Sequence, residues 1–358
     1  MRLPRAVALV ALCLGPAVGL SAQVRTIDLS GRPIAALSES FSSIVGGAEL
    51  AGGGFVVVDR AERTVLLADF AKGTVTVLSR NGAGPDEYRM PSKVLANASG
   101  GAIVPDEALG RALLISSDGA ITGTGLDRAE AGMPPIGIRG IDRSGRVYRF
   151  GASRTIDPDS LPIERWDPAT RRVETVAWWP QSSATVGRAR RQPGGGTRAE
   201  LLAPTLFSSR PEWIVLADGA VAIVYSSPYH VEVVTPSGRR VRGPRISYNP
   251  VQVTKEYRAW FAKERGPTPD EMFPRTLPPF EDAGDLLASP SGEIWVRRLS
   301  DWNDSTPAYD IIDATGALRG RARLNAHSKI VGFGKGVAYV AREVPEDGLW
   351  YLEKYALR

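Results

Sequence analysis

The sequence predicts an all-β fold, a six-bladed β-propeller with four-stranded blades, from three observations. Short apolar strands recur behind glycine turns at the spacing of a propeller blade. Glycine and proline, 38 and 27 of 358 residues, exceed the usual ~12% share and supply the many turns such a fold needs. Only one segment carries a convincing helical pattern, which leaves the rest of the chain to strands.

The turns come first. Gly53-Gly54, Gly100-Gly101, Ser144-Gly145, Asp218-Gly219, Ser291-Gly292 and Lys335-Gly336 each precede a run of apolar residues, so each marks a hairpin between an inner strand and the next one out. The last glycines of these turns are spaced by 47, 44, 74, 73 and 44 residues. Three spacings match a blade of about 40 to 50 residues. The other two imply insertions, at about 181–211 and 249–283.

Ring closure and the strands within a blade follow. Residues 24–29 (Val-Arg-Thr-Ile-Asp-Leu) are expected to supply the outer strand of the last blade beside residues 349–355, because closure protects the end blades from exposing open edges. The first unit reads as three strands, 55–59, 64–70 and 73–78. Its unbroken Val56-Val57-Val58 marks a strand covered on both faces.

The insertions differ in character. Residues 187–198 place four arginines in a Pro-Gly tract, and arginine forks suit carboxylate or phosphate, so an anionic ligand is one expectation and a solvated loop the other. In the second insertion Thr254 is the expected N-cap of a helix over 255–265, stopped by Gly266-Pro267. Tyr257, Trp260 and Phe261 share one face, expected to pack on the propeller. Thr268 to Glu271 reads as a capping box.

Residues 1–23 read as a secretory signal: Arg2 and Arg5, an apolar stretch over 6–14, then a small-residue exit, with cleavage after Gly19 or near Ala22-Gln23. The chain is therefore expected to be exported, periplasmic or extracellular. Cys13 is the only cysteine, and Leu12 before it departs from a lipobox. Beyond the leader, 42 basic residues face 39 acidic ones, too small a surplus for a nucleic-acid partner. No later run reaches the ~20 apolar residues of a membrane span. A monomer is expected, with a protein or small-molecule ligand as partner.

The loop Gly82-Ala-Gly-Pro-Asp-Glu-Tyr-Arg-Met-Pro91 resembles the GxGPGEF-x-x-P link between blades of NHL-like six-bladed propellers, with Asp86 for the usual Gly and Tyr88 for Phe. The resemblance, to a bacterial exported propeller type, implies a toroidal all-β fold and a binding role. It does not imply one activity.

In a four-stranded blade the link to the next blade and the turn between second and third strands share one rim. Both insertions and the Asp86 loop lie there, which makes that rim the expected functional face. Its candidate ligand-binding residues are Asp86, Glu87, Tyr88, Arg89, Arg154, Tyr229, His230, Trp302 and Asp304. Ser226-Ser-Pro-Tyr-His230 brings hydroxyls and an imidazole together, as general-base work requires, but an exposed or satisfied turn histidine is the reading the sequence favours. With two histidines, His230 and His327, in different blades, no histidine-rich metal site is expected. No GxSxG elbow or Walker loop occurs, and no catalytic residue is assigned. Residues 301–305 offer oxygens at alternate positions, but lack the central Gly and closing Glu of a calcium loop. No cofactor is assigned, calcium being the one weighed. Asp59, Asp86, Glu87, Asp106, Asp304 and Glu346 map to the same rim. Lactonase-class propellers hold a divalent cation with such carboxylates, so a metal-dependent hydrolase is the alternative. Asp59 and Asp106 also resemble the turn-capping Asp of NHL-type blades.

Overall fold

Six glycines hold the turns that organise the chain. Gly53, Gly100, Gly145, Gly219, Gly292 and Gly336 have φ between +71° and +92°, a region costly for any residue with a Cβ. In the first two turns it is the earlier glycine of the pair that takes this conformation. The structure, a computed structural model, describes residues 24–90, 93–126, 137–151, 160–180, 188–191, 197–200, 206–207 and 210–357. The expected signal segment, Arg154 and most of the first insertion lie outside the described residues.

Strands β1 (Arg25–Leu29) and β2 (Ala35–Phe41) precede the first turn. Blade one is β3 (Ile44–Glu49), β4 (Phe55–Asp59), β5 (Thr64–Asp69) and β6 (Thr74–Ser79); blade two is β7 (Leu95–Ala96), β8 (Ala102–Asp106), β9 (Arg111–Ile115) and β10 (Ile121–Gly125). Blade three is β11 (Ile138–Ile141), β12 (Val147–Phe150), β13 (Ser160–Asp167) and β14 (Arg172–Pro180). A separate hairpin, β15 (Arg188–Arg191) and β16 (Thr197–Glu200), lies in the first insertion. Blade four is β17 (Glu212–Val215), β18 (Val221–Ser226), β19 (Tyr229–Val234) and β20 (Arg240–Arg242). Helix α1 (Lys255–Arg265) follows in the second insertion. Blade five is β21 (Leu286–Ala288), β22 (Ile294–Arg297), β23 (Ala308–Ile312) and β24 (Leu318–Leu324); blade six is β25 (Ser328–Gly334), β26 (Val337–Val344) and β27 (Leu349–Ala356), completed by β2.

The ring is closed by an N-terminal strand, as expected, but the strand is not the expected one. Ala35–Phe41 runs antiparallel to β27, while Arg25–Leu29 lies parallel to β24 as a fifth strand of blade five. Chain economy explains the correction. Only two residues, Ser42 and Ser43, separate β2 from the inner strand of blade one, so β2 is placed to be the outer strand that leads into it. The serine-rich AALSESF hides its two inward anchors, Leu37 and Phe41.

Core packing follows the seams. Among the described residues, six apolar clusters each join two neighbouring blades, from Val58 with Val104 between blades one and two to Val331 with Val57 between blades six and one. Residues Phe55 to Val58 are fully buried because both faces of β4 carry a neighbouring blade. The innermost strands stand side by side, β25 next to β3, then β7, β11, β17 and β21. Among the described residues no helix is long and apolar enough to cross a membrane.

Candidate functional site

The rim that carries the links between blades is built partly from residues whose side chains are already committed. In the loop after β6, Tyr88 is the largest departure from expectation. It is 0% exposed, packs with Val56, Val58 and Val104, and donates its hydroxyl hydrogen to the Pro105 carbonyl at 2.7 Å. An aromatic ring at this position plugs the seam between two blades rather than facing a ligand. Glu87 is exposed, but its Oε2 accepts from the Gly84 amide at 2.8 Å, and a Cβ on Gly82 would stand 2.0 Å from the same oxygen. Asp86 is exposed and takes part through its backbone carbonyl, which accepts from Ser79 Oγ at 2.7 Å. Arg89, also exposed, donates its backbone amide to Asp106 at 2.9 Å. Arg111 Nη2 closes the loop by donating to the carbonyls of Gly84 and Glu87.

Asp59 and Asp106 play one role in two blades. Asp106 accepts four backbone amides, from Arg89, Met90, Ala108 and Leu109. Asp59 accepts four, from Ser42, Ser43, Ala61 and Glu62. Each ties its own second-to-third turn to the link from the preceding blade. Their lone pairs are spent on structure, which is the turn-capping reading. Among the described residues no group of three or more His, Cys, Asp or Glu side chains is placed to hold a metal. The convergence of carboxylates on which a metal-dependent hydrolase would rest is therefore not found there.

Tyr229 and His230 are interior. The Tyr229 hydroxyl donates to Asp310 Oδ2 at 3.1 Å across the seam between blades four and five, and burial, then the Asp310 charge, pushes its pKa well above the usual tyrosine value. Arg298 and Arg321 complete the shell of Asp310 at 3.0 and 3.1 Å. His230, 4% exposed, stacks on Tyr225 with centroids 4.5 Å apart. Its Nδ1 lies 2.7 Å from the Pro228 carbonyl, which can only accept, so Nδ1 carries the proton. The other nitrogen, Nε2, is 3.5 Å from Glu232 Oε1. The tight turn between β18 and β19 places these side chains, buried, in blade seams.

Described residues of the two insertions share one apolar cluster. Helix α1 starts at Thr254, whose hydroxyl accepts from the Tyr257 amide at 3.2 Å, and stops at Gly266 with φ +94°, as the sequence predicts. Tyr257, Trp260 and Phe261 do share a face. They pack mainly against Val251, Val253, Phe273 and Leu277 of their own insertion, with Leu206 and Phe207 from the first insertion and Leu299 from the turn after β22. The Leu206 amide donates to the Met272 carbonyl at 2.8 Å, and Phe207 stands edge-on to Tyr257 and Phe261. The expected capping box at Thr268 does not form. Thr268 donates to the Gly266 carbonyl instead, and the short 3-10 turn Asp270–Met272 starts at Pro269 without a side-chain cap. The box appears at Asp282 and Asp285, where the chain re-enters blade five.

Trp302 remains available on the cap. It is 41% exposed and stacks at 6.3 Å and 25° on Trp260. Asp304 holds a turn by accepting from the Thr306 amide at 3.0 Å, and Glu346 is exposed on the turn before β27. On the opposite rim a half-open cavity of about 430 Å³ lies between blades five and six, lined by Arg25, Ile27, Ser289, Glu293, Trp295 and Lys335.

Sequence reasoning missed a set of charged groups at one end of the inner strands. Counting back seven residues from the left-handed turn glycines Gly100, Gly219, Gly292 and Gly336 reaches Lys93, Glu212, Asp285 and Lys329, all at the same end of their inner strands. That fixed offset is legible in the sequence once the glycines are aligned. Glu212 pairs with Arg139 of blade three at 2.7 Å. Asp285 accepts from the amides of Glu281 and Asp282, and burial pushes its pKa up. Burial, then the Arg139 charge, pushes Lys93 down; burial, then Arg297, pushes Lys329 down to about 8. Lys329 Nζ rests 4.3 Å from the centre of the Trp350 ring.

No family model matches the chain, and no curated protein matches it. Among solved structures it is similar to a protein of Bacteroides fragilis assigned as exported, at 8% identity and TM-score 0.49, covering 94% of this chain and 100% of that one. It is similar to a gluconolactonase of Xanthomonas campestris at 12% identity and TM-score 0.46, covering 89% of this chain and 91% of that one. A third is the calcium-binding protein regucalcin of Agrobacterium tumefaciens, at 13% identity and TM-score 0.45, covering 94% of this chain and 97% of that one. At these identities and scores nothing of their activities passes to this chain, whose six-bladed architecture stands on its own strand pairing.

Proposed function

We propose that the protein is an exported propeller scaffold that binds a ligand or protein partner on the rim carrying the inter-blade links. The observation that carries this reading is the apolar cluster that the two insertions share. Both insertions leave from inter-blade links of one rim, and their described residues share a small apolar core, Tyr257, Phe273 and Leu277 with Leu206 and Phe207, that no blade needs for its own strands. Recognition elements on rigid β scaffolds are characteristically loops gathered at one end. Export is supported by the basic and apolar pattern of residues 1–23.

Site-specific photo-crosslinking in the exporting cell tests the reading. A photoreactive residue at Arg89, Trp302 or Asp304 is expected to capture a defined adduct, while one at the exposed Lys335 on the opposite rim captures none. Equal capture from both rims, or capture only from the opposite one, overturns it.

A further inference from the structure

Residues 301–305, Asp-Trp-Asn-Asp-Ser, fall short of a calcium loop but spell a second chemical motif. Asn303 is followed two residues later by Ser305, with Asp304 rather than proline between them, which is the acceptor triplet for N-glycosylation of exported chains. Asp301, two places before the asparagine, supplies the acidic residue that bacterial oligosaccharyltransferases read in addition. Of the five asparagines in the chain, one other heads such a triplet: Asn97, before Ala98 and Ser99.

The structure separates the two. Residues 298–307 join β22 to β23, ten residues where the same turn has four in blades one, two and six and two in blade four. The long turn is anchored at its base, where the amides of Arg298, Leu324 and His327 donate to the carbonyls of Ala308, Pro307 and Ser305 at 2.8, 3.2 and 3.0 Å. Beyond that base all five residues 301–305 are exposed. The Asp304 amide donates to the Asp301 carbonyl at 3.0 Å, so Asn303 is the third residue of a tight turn at the tip. Neither the Asn303 carboxamide nor the Ser305 hydroxyl has a hydrogen-bond partner among the described residues.

Asn97 is the opposite case. It is half-buried, and its Oδ1 accepts from the Ser99 amide, the Ser99 hydroxyl and the Gly101 amide at 3.0, 2.7 and 2.9 Å. The carboxamide and the hydroxyl two residues on are engaged with each other, and together they hold the left-handed turn at Gly100.

We propose that Asn303 is an N-glycosylation site and that Asn97 is not. The donor is an oligosaccharide joined through pyrophosphate to a lipid. The Asn303 Nδ2 bonds to the anomeric carbon as the bond from that carbon to the pyrophosphate oxygen breaks; the nitrogen gives up one proton, the lipid pyrophosphate leaves, and nothing is oxidised or reduced. An exposed loop tip can enter a transferase, whereas a paired blade strand cannot. The sugar stands next to Trp302, on the rim that carries the inter-blade links, where a bulky hydrated group is tolerated. The proposal rests on the export reading above, since a lipid-linked donor of this class meets protein outside the cytoplasm.

Intact-mass and glycopeptide spectrometry of the full chain, expressed in its own exporting cell, tests it. A discrete saccharide increment is expected on the peptide that contains Asn303 and none on the peptide that contains Asn97. Asn303→Gln and Ser305→Ala should each abolish the increment, and Ser305→Thr should keep it. Neither loss removes a bond of the fold, because Ser305 holds the His327 amide through its backbone carbonyl, so both variants should still unfold cooperatively. The same spectra read the mature N-terminus. A chain cleaved after Gly19 or near Ala22-Gln23 that carries no sugar at Asn303 overturns this inference alone and leaves the export reading standing. A chain that keeps residues 1–23 overturns both. An increment that survives Asn303→Gln, or that maps to Asn97, also overturns the proposal.

Discussion

Tyr88 and Pro105 meet across the seam between blades one and two, the tyrosine hydroxyl donating to the proline carbonyl at 2.7 Å with the ring fully buried. Tyr88→Phe keeps the ring and removes the donor, and is expected to cost about 1 kcal/mol. Tyr88→Ala empties the seam and is expected to cost about 3–5 kcal/mol. Urea denaturation measures both. A neutral Tyr88→Ala would show that the ring is not a core element.

Asp59 and Asp106 are expected to be stability residues. Removing four amide partners at once by Asp59→Ala or Asp106→Ala should cost about 2–4 kcal/mol each, with roughly half recovered in the Asn variants, which keep one accepting oxygen. Crosslinking from the rim should not change in any variant that folds. A loss of crosslinking without loss of stability would return these carboxylates to the list of ligand-binding groups.

Lys329 predicts a pH dependence of defined sign. The unfolded chain keeps this proton up to the ordinary lysine value of 10.5, whereas the folded chain releases it near 8. The fold therefore carries the full penalty below pH 8, and stability recovers as the pH rises from 8 toward 10.5. Relative to Lys329→Gln, the parent should gain up to about 3 kcal/mol across that window. A difference that is flat with pH would mean that Lys329 is solvated.

Deleting residues 24–31 removes β1 but leaves β2 on β27, so the ring should stay closed and unfold cooperatively, with β24 exposed as a new edge. Deleting residues 24–42 removes the closing strand and should abolish cooperative unfolding. Circular dichroism melts distinguish the two, and the reverse order would contradict the strand assignment.

Much of the fold was legible because one physical requirement repeats. Each blade needs a left-handed turn between its first two strands, only glycine meets it cheaply, and the fully covered second strand must be apolar on both faces, as in Phe55 to Val58. Helix α1 was legible for a similar reason, since Thr254 and Gly266 mark its ends chemically. The candidate site was less so. Tyr88, Tyr229 and His230 sit in turns and links, which the sequence reads as rim, and only three-dimensional packing shows that their side chains turn back into the seams. Strand β2 was obscured because its buried anchors, Leu37 and Phe41, stand four residues apart across a register shift, so it lacks the two-residue alternation of Ile27 and Leu29 in β1. The contact between Phe207 and Phe261 joins segments more than fifty residues apart, with no local signal in either.

The account rests most heavily on the two insertions being one cap, and a disulfide tests that directly. Residues 24–358 contain no cysteine, so Leu206→Cys with Met272→Cys introduces the only pair. The backbones of these residues are joined at 2.8 Å, which brings their Cα atoms into bridging range. Mild oxidation is predicted to give a complete intramolecular disulfide without lowering the melting temperature. Failure to form the bond, or a bond that forms only with loss of stability, would show two independent insertions and contradict the account.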